Sequence, residues 1–395
     1  MAHLSYARKK KILIYLLAAV LLLSLFVFTA CNRDNANVNF NDGVNEPTHF
    51  MAKFLIVLND KVGNFGWTVV VFTVILKTIL LPFDFWQKHI MRKNAKAMKR
   101  MKPRLDELQE KFGNDKQRLQ QEQMALYKKE KYSVMGSCLP TLITLVVFIV
   151  VFSGFRQMVS YQNALVYKNA VITYTSVYDK EYTDIYQQSY DALTDAEKAD
   201  PVKVDEIKAV SETAAKDKAQ TAVAENYQMP SFLWIHNIFV PDSWEKAIPD
   251  YTSFSGQKGF ANARIEGVMI SDYETVMAKL IGTGGYGKNG KWNGLLILPA
   301  LTVALSVLSQ LLMSKTQGAA QPPAQAGMEA SQKMMQWMMP VLMGVFALFY
   351  SAAFTLYMFV NSLYSILFQL IYSLATMLID RKNGEAPVYV KKSRK

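Results

Sequence analysis

The chain has little of what enzymes and disulfide-bonded secreted proteins need. Its 395 residues include only two cysteines and four histidines. It contains no Cys/His spacing typical of zinc sites, no Gly-rich phosphate loop and no nucleophile elbow. The sequence therefore predicts no catalytic residues, no metal site and no cofactor, and neither cysteine requires a disulfide to explain it.

Charged residues are also scarce. They make up 19% of the chain, whereas soluble proteins carry about a quarter. The hydrophobic share is 51%, and long stretches with almost no charge alternate with stretches dense in Lys, Arg, Asp and Glu. This segregation is typical of a membrane protein with aqueous segments, and it predicts an all-α polytopic fold.

The N-terminus has the pattern of a secretory signal, predicted at residues 1–30. A basic region precedes an apolar run that ends in FTAC, a sequence typical of a bacterial lipoprotein signal, with Phe28 in place of the usual Leu. Cys31 is therefore the predicted lipidation site, and the alternative is an uncleaved anchor with an incidental cysteine. Residues 31–63 are predicted to form a polar tether followed by an interfacial amphipathic helix.

Five later stretches are apolar enough to cross a bilayer, which requires about 20 residues. The predicted transmembrane helices lie at residues 64–86, 136–158 and 294–313, with a fourth and a fifth within 336–378. The predicted segments between and after them are a cytoplasmic helical hairpin at 87–135, an extracytoplasmic segment at 159–293, a cytoplasmic loop at 314–335 and a basic cytoplasmic tail at 379–395.

The distribution of Lys and Arg predicts the orientation of these helices. Residues 87–135 hold 14 basic and 6 acidic side chains, and residues 381–395 hold 6 and 1. Residues 159–293 hold 13 basic and 18 acidic side chains. We therefore expect a multi-pass protein of the bacterial plasma membrane, with its mature N-terminus outside and its C-terminus in the cytoplasm. The net charge of +12 is explained by this topology and does not require bound nucleic acid.

The aqueous segments are predicted to be mainly helical. In the cytoplasmic hairpin we expect a turn at residues 113–115 and a new helix opening at Pro103. Its apolar stripe is narrow, so the hairpin is expected to be mobile and peripheral, either a solvated connector or a contact surface for a partner. Outside, we predict a helix from Pro201 to Asn226, an aromatic membrane-surface stretch at 231–244, and loops with some strand at 249–293.

Lys77 is the unusual residue of the first apolar helix. It lies nine residues before Trp86, about 13 Å inside the cytoplasmic edge at about 1.5 Å per residue. An unpaired Lys at this depth costs on the order of 3 kcal/mol, and Asp84 at the edge is the nearest acid in the sequence. Other polar residues predict a wet groove around it, although each could instead serve helix packing. The candidate groove residues are Lys77, Thr73, Thr144, Gln310, Asn361 and Tyr357.

Several motifs resemble the YidC/Oxa/Alb membrane protein insertases, in the order and on the sides expected. They are KTILLP at 77–82, MKRMKPRLDELQEKF at 98–112, LYKKEKYSVMGSCLPTLI at 126–143, FLWIHNIFVPD at 232–242 and the closing span pair from MMQWMMP onward. The resemblance implies five transmembrane helices around a polar groove, with no cofactor and no enzymatic step. It also implies that the groove receives the hydrophilic tail of a client protein and that its cation attracts acidic residues there.

The resemblance implies partners as well. They are client membrane proteins and membrane lipids, together with the Sec translocon, the ribosome or the signal recognition particle pathway through residues 87–135 and the basic tail. Ribosomal RNA would be the only nucleic acid in contact. The chain departs from the family pattern at several positions, with Lys77 for the usual Arg, Thr144 for Gln and Met358 for Trp. The alternatives are a small-anion channel or transporter that uses Lys77, for which no inverted repeat is found, and a lipoprotein anchored by its spans.

Overall fold

A computed structural model describes residues 38–41, 43–132, 134–244, 246–256, 265–281, 292–317 and 340–382. The helices are α1 Phe50–Val62, α2 Phe65–Phe112, α3 Lys116–Lys129, α4 Val134–Asp191, α5 Asp195–Lys198, α6 Pro201–Asn226, α7 Tyr251–Phe254, α8 Ile270–Ile281, α9 Ile297–Gln317, α10 Pro340–Phe349 and α11 Ala352–Lys382. The predicted signal peptide, Cys31, residues 318–335 of the predicted loop and residues 383–395 of the predicted tail lie outside the described residues.

The described residues are mostly helical, which confirms the all-α class. The strands β1, Val38–Asn39, and β2, Ile265–Glu266, form one short parallel pair. Two helices, α2 and α11, are long and apolar enough to cross a membrane, and α9 and α10 are shorter apolar helices. Only 22% of the most apolar window of α2 or α11 is buried, as expected for helices that face lipid rather than a soluble core.

The prediction that Pro103 opens a new helix is wrong. Helix α2 runs through Pro103 without interruption and ends at Phe112. A proline inside a helix costs about 3 kcal/mol, but Met101 and Leu105 on either side of it are fully buried. They pack in one cluster with Leu126 of α3, so tertiary packing holds the helix straight. The turn lies at residues 113–115, where Asp115 caps α3.

The first arm of the hairpin is not peripheral. Arg92 forms an ion pair with Asp380 near the end of α11, and Lys88 hydrogen-bonds Gln369 on the same helix. Lys96 lies 4.0 Å from the Asp380 carboxylate. Asp380 is almost fully buried, because these cations cover it. The part of α2 that follows Trp86 is therefore tied to the last helix.

Helix α4 continues far beyond Met158, where the sequence predicted that it would end. It reaches Asp191 and packs against α6, which has the predicted bounds Pro201–Asn226. Successive tyrosines four residues apart stack along α4 with ring centroids 5.7–6.1 Å apart. Small buried residues recur every four positions on α6, at Ser211, Ala215 and Ala219. The two helices form a long hairpin.

The segment at 231–242 closes the end of the bundle where α2 begins. Phe232, Ile235, Ile238 and Phe239 are buried in the main apolar cluster, and the rest of the segment is held by hydrogen bonds. The N–H groups of Ala352 and Ala353 at the start of α11 donate to carbonyls of this segment at 2.9 and 2.8 Å. The prediction of a membrane-surface stretch therefore describes its exposed Leu233 and Trp234 but not its buried half.

Candidate functional site

Lys77 lies in the middle of the apolar part of α2 and is half-buried. The helix there is held by packing of its other face, since Val69 and Phe72 are fully buried. Within the described part of the chain the Lys77 ammonium makes no hydrogen bond and no ion pair. The carboxylate that interacts with it electrostatically is Asp84. Lys77 is thus a cation without a bonded partner among the residues that the structure describes.

Asp84 and Lys88 extend the site toward the C-terminal end of α2. They follow Lys77 by seven and eleven residues, so the three side chains lie on one stripe of the helix. All three are half-buried, and Asp84 interacts electrostatically with both cations. The stripe alternates positive, negative and positive charge over about 17 Å, at about 1.5 Å per residue. The sequence predicted a role for Asp84 but Lys88 was missed. Its position eleven residues after Lys77 places it on the same helix face, which the helical repeat alone would have shown.

The stripe ends at contacts with α11. Lys88 hydrogen-bonds Gln369, and Arg92 one turn further pairs with Asp380. Sequence analysis missed both acceptors, because they lie more than 280 residues away in the chain. The sequence feature that could have indicated Asp380 as a partner is its position as an acidic residue directly after the apolar run of the last helix. These contacts hold the cationic edge of α2 against α11.

Asn361 lies at about the same depth as Lys77. Rings on α2 and α11 meet at Phe72 and Tyr357, 6.4 Å apart, and again at Phe85 and Phe368, 4.9 Å apart, so the helices run parallel. Lys77 is five residues beyond the first contact, and Asn361 is four residues beyond it. Asn361 is half-buried, and its side chain belongs to the helix that packs against both α2 and α9.

The other predicted groove residues divide into two groups. Gln310 on α9 is half-buried and Thr144 on α4 is exposed. Thr73 and Tyr357 are buried instead: the Thr73 hydroxyl donates to the Val69 carbonyl at 2.6 Å, and Tyr357 packs on aromatic rings. The structure therefore places these two at the closed end of the site. Whether the six residues line one groove stays a prediction.

An aromatic cluster separates the charged stripe from the opposite end of the bundle. Phe72 lies 5.9 Å from Phe155, Phe155 lies 5.7 Å from Phe354, and Phe354 lies 5.8 Å from Tyr357, measured between ring centroids. The rings lie on the side of Lys77 that is opposite Asp84 and Lys88. Among the described residues no group of three or more His, Cys, Asp or Glu could hold a metal. The arrangement is suited to binding an anionic group.

The sequence matches a known family of membrane proteins. The sequence model described as 60Kd inner membrane protein matches residues 57–377. The chain therefore belongs to this family, the YidC/Oxa/Alb family, which confirms the resemblance seen in its motifs. The description also agrees with the predicted location in a bacterial membrane.

Individual relatives carry the name membrane protein insertase YidC. The protein of Dechloromonas aromatica is 43% identical over 98 residues, which are 25% of this chain and 17% of the relative. That of Caldanaerobacter subterraneus subsp. tengcongensis is 35% identical over 115 residues, 29% of this chain and 54% of the relative. That of Actinobacillus succinogenes is 37% identical over 119 residues, which are 29% of this chain and 21% of the relative. The chain thus matches between about a sixth and about half of these relatives' lengths.

Proposed function

We propose that the chain is a membrane protein insertase and chaperone that acts alone or together with the Sec translocon. The observation that carries the proposal is the charged stripe of Lys77, Asp84 and Lys88 on α2. The chain that contains it belongs to an insertase family. The names of the relatives support it. No bond is made or broken in this activity and no nucleotide is needed, so we do not propose an enzyme.

The proposed architecture has five spans around a groove that opens to the cytoplasm and to lipid. The spans are α2, the first part of α4, α9, α10 and α11. The mature N-terminus lies outside, where Cys31 carries lipid, and the C-terminus lies in the cytoplasm. The charge bias of the aqueous segments supports this orientation, and the exposed apolar residues of α2 and α11 support their contact with lipid.

A client enters the groove with its hydrophilic tail. An acidic residue on the tail meets Lys88 first and then Lys77, where Asp84 is displaced as the electrostatic partner. Two unit charges 4 Å apart interact by about 4 kcal/mol at an effective dielectric constant near 20, before desolvation. This favours entry without trapping the tail. The apolar part of the client then partitions into the adjoining lipid.

The cytoplasmic hairpin and the basic tail are the proposed contact surfaces for the ribosome, the signal recognition particle pathway or Sec. Residues 87–135 carry an excess of eight basic side chains, 14 against 6, which suits acidic partners including ribosomal RNA. The alternative of a small-anion channel or transporter uses the same Lys77. The family membership does not favour it.

Depletion of the protein in its own cells tests the function. We expect membrane insertion of small proteins with short acidic extracytoplasmic tails to fall, as followed by protease protection of the tail after pulse labelling. A soluble cytoplasmic protein synthesised in the same cells is the control for general loss of synthesis. Unchanged insertion of all such clients in depleted cells would rule out the insertase proposal.

A further inference from the structure

Arg156 on α4 is a charged residue whose Nε atom lacks a hydrogen-bond partner in the described part of the chain. The side chain is half-buried, and its Nε atom is buried without a hydrogen bond among the described residues. It forms no ion pair with any of them. The Tyr350 hydroxyl interacts electrostatically with Arg156, and it also makes no hydrogen bond within the described ranges. Phe152, one turn before Arg156, holds the Tyr350 ring at a centroid distance of 4.7 Å.

The depth of Arg156 is marked by α1, which packs against α4 at the same level. A Cβ atom on Gly154 would lie 2.6 Å from Met51, and the His49 N–H donates to Gln157 at 3.0 Å. Helix α1 leaves Phe50 and Val57 62% and 55% exposed. An amphipathic helix with such a face lies at the boundary of headgroups and acyl chains. Arg156 therefore lies at headgroup level.

Two indole side chains mark the same boundary on neighbouring elements. Trp67 begins the apolar part of α2 and is 55% exposed, and Trp234 in the closing segment is 37% exposed. Tryptophans collect at the membrane–water interface. In the orientation proposed above, this is the outer interface, where the bias of Lys and Arg toward the cytoplasm makes a half-buried arginine unusual.

The chemistry of the pair indicates the ligand. A guanidinium has five N–H donors in a planar fork that matches a phosphate, and the buried Nε of Arg156 lacks an acceptor among the described residues. The Tyr350 hydroxyl adds a neutral donor beside it. We propose that Arg156 and Tyr350 bind the phosphodiester of a phospholipid in the outer leaflet. This site lies on the opposite side of the aromatic cluster from Lys77, and it is separate from the client site.

Lipid retention by the full chain tests the site independently of insertion activity. The protein is purified in a maltoside detergent, which has no phosphate, and titrated with phosphatidylglycerol while bound lipids are counted by native mass spectrometry. We expect Arg156→Gln to lose one bound lipid, with roughly ten-fold weaker binding at that site. Tyr350→Phe should weaken it less. Lys168→Gln, which removes an exposed charge three turns further along α4, should change nothing.

Two further arms keep the test decisive. Arg156→Lys preserves the charge but lacks the planar fork, so it should fold and bind between wild type and Arg156→Gln. Millimolar inorganic phosphate should leave the lipid bound, because the acyl chains contribute to retention. The proposal is overturned by equal lipid counts in wild type and Arg156→Gln, by equal losses in Arg156→Gln and Lys168→Gln, or by displacement of the lipid with inorganic phosphate.

Discussion

Asn293 and Lys77 lie at opposite ends of the helix bundle, and their polar groups are bonded in opposite ways. At the closed end, the Asn293 amide donates to carbonyls of Asn237 and Pro241 at 2.8 Å and accepts from the Asn237 N–H at 2.7 Å. At the charged end, Lys77 has no bonded partner among the described residues and Asp84 reaches it only electrostatically. Polar groups bonded to backbone hold structure, whereas unbonded ones are available to a ligand.

Asp242 belongs to the closed end as well. It is fully buried, and its carboxylate accepts the N–H groups of Leu296 and Leu298 at the start of α9, at 2.9 and 2.8 Å. Burial raises the pKa of the Asp242 carboxyl, and the two N–H donors partly oppose that rise. Asp242 thereby joins the closing segment to α9, and the carbonyls of Val240 and Ile238 join it to α11. This end is built to stay shut, and the charged end to admit something polar.

The largest effect is expected from breaking the closed end. Asn293→Ala leaves several buried carbonyl and N–H groups without partners, which should lower the free energy of unfolding by about 3 kcal/mol. Thermal unfolding in detergent measures it. The matched control is Asn226→Ala, since Asn226 is exposed and bonds only the Ala222 carbonyl of its own helix. Equal unfolding midpoints for both variants would show that the Asn293 hydrogen bonds contribute little to stability.

At the charged end, Lys77→Ala should affect function more than stability. We expect insertion of an acidic-tailed client into proteoliposomes to fall about ten-fold, the equivalent of about 1.4 kcal/mol, because the tail loses its cation. Lys77→Arg keeps the charge and should retain insertion. The same client with its acidic residues changed to amides serves as the control and should be unaffected. If all clients insert equally well with Lys77→Ala, the cation is not the receiver.

The smallest effect, of opposite sign, is expected from Asp84→Asn. Asp84 partly neutralises Lys77 and Lys88 in the empty site, so its removal should strengthen binding of acidic tails by roughly three-fold, a Coulomb effect weakened by solvent. Crosslinking of an arrested acidic-tailed client to the chain measures this. Asp106→Asn, an exposed residue near the end of the same helix, is the control. Weaker crosslinking with Asp84→Asn would mean that Asp84 orients the cations instead of competing for them.

Sequence predicted the local features of both ends and missed the distant ones. Lys77, the helix at Pro201–Asn226 and the turn after Phe112 follow from hydropathy, periodicity and turn residues. The contacts of Asn293, Gln369 and Asp380 do not, because they join residues far apart in the chain. The error at Pro103 has the same origin, since buried neighbours on α3 outweigh a local preference. The tyrosines spaced by four along α4 were a readable helix signal that was overlooked.

The unbroken length of α2 has a mechanical consequence. From Gln87 to Phe112 the helix is about 38 Å long, at about 1.5 Å per residue. The pairing of Arg92 with Asp380 lies near the start of this arm and can act as its fulcrum. A tilt of about 10° there moves the far turn by about 5 Å, because about 30 Å of helix lies between Arg92 and Phe112. A client pressing beside Lys77 and a partner pulling on the turn would thus load one lever from its two ends.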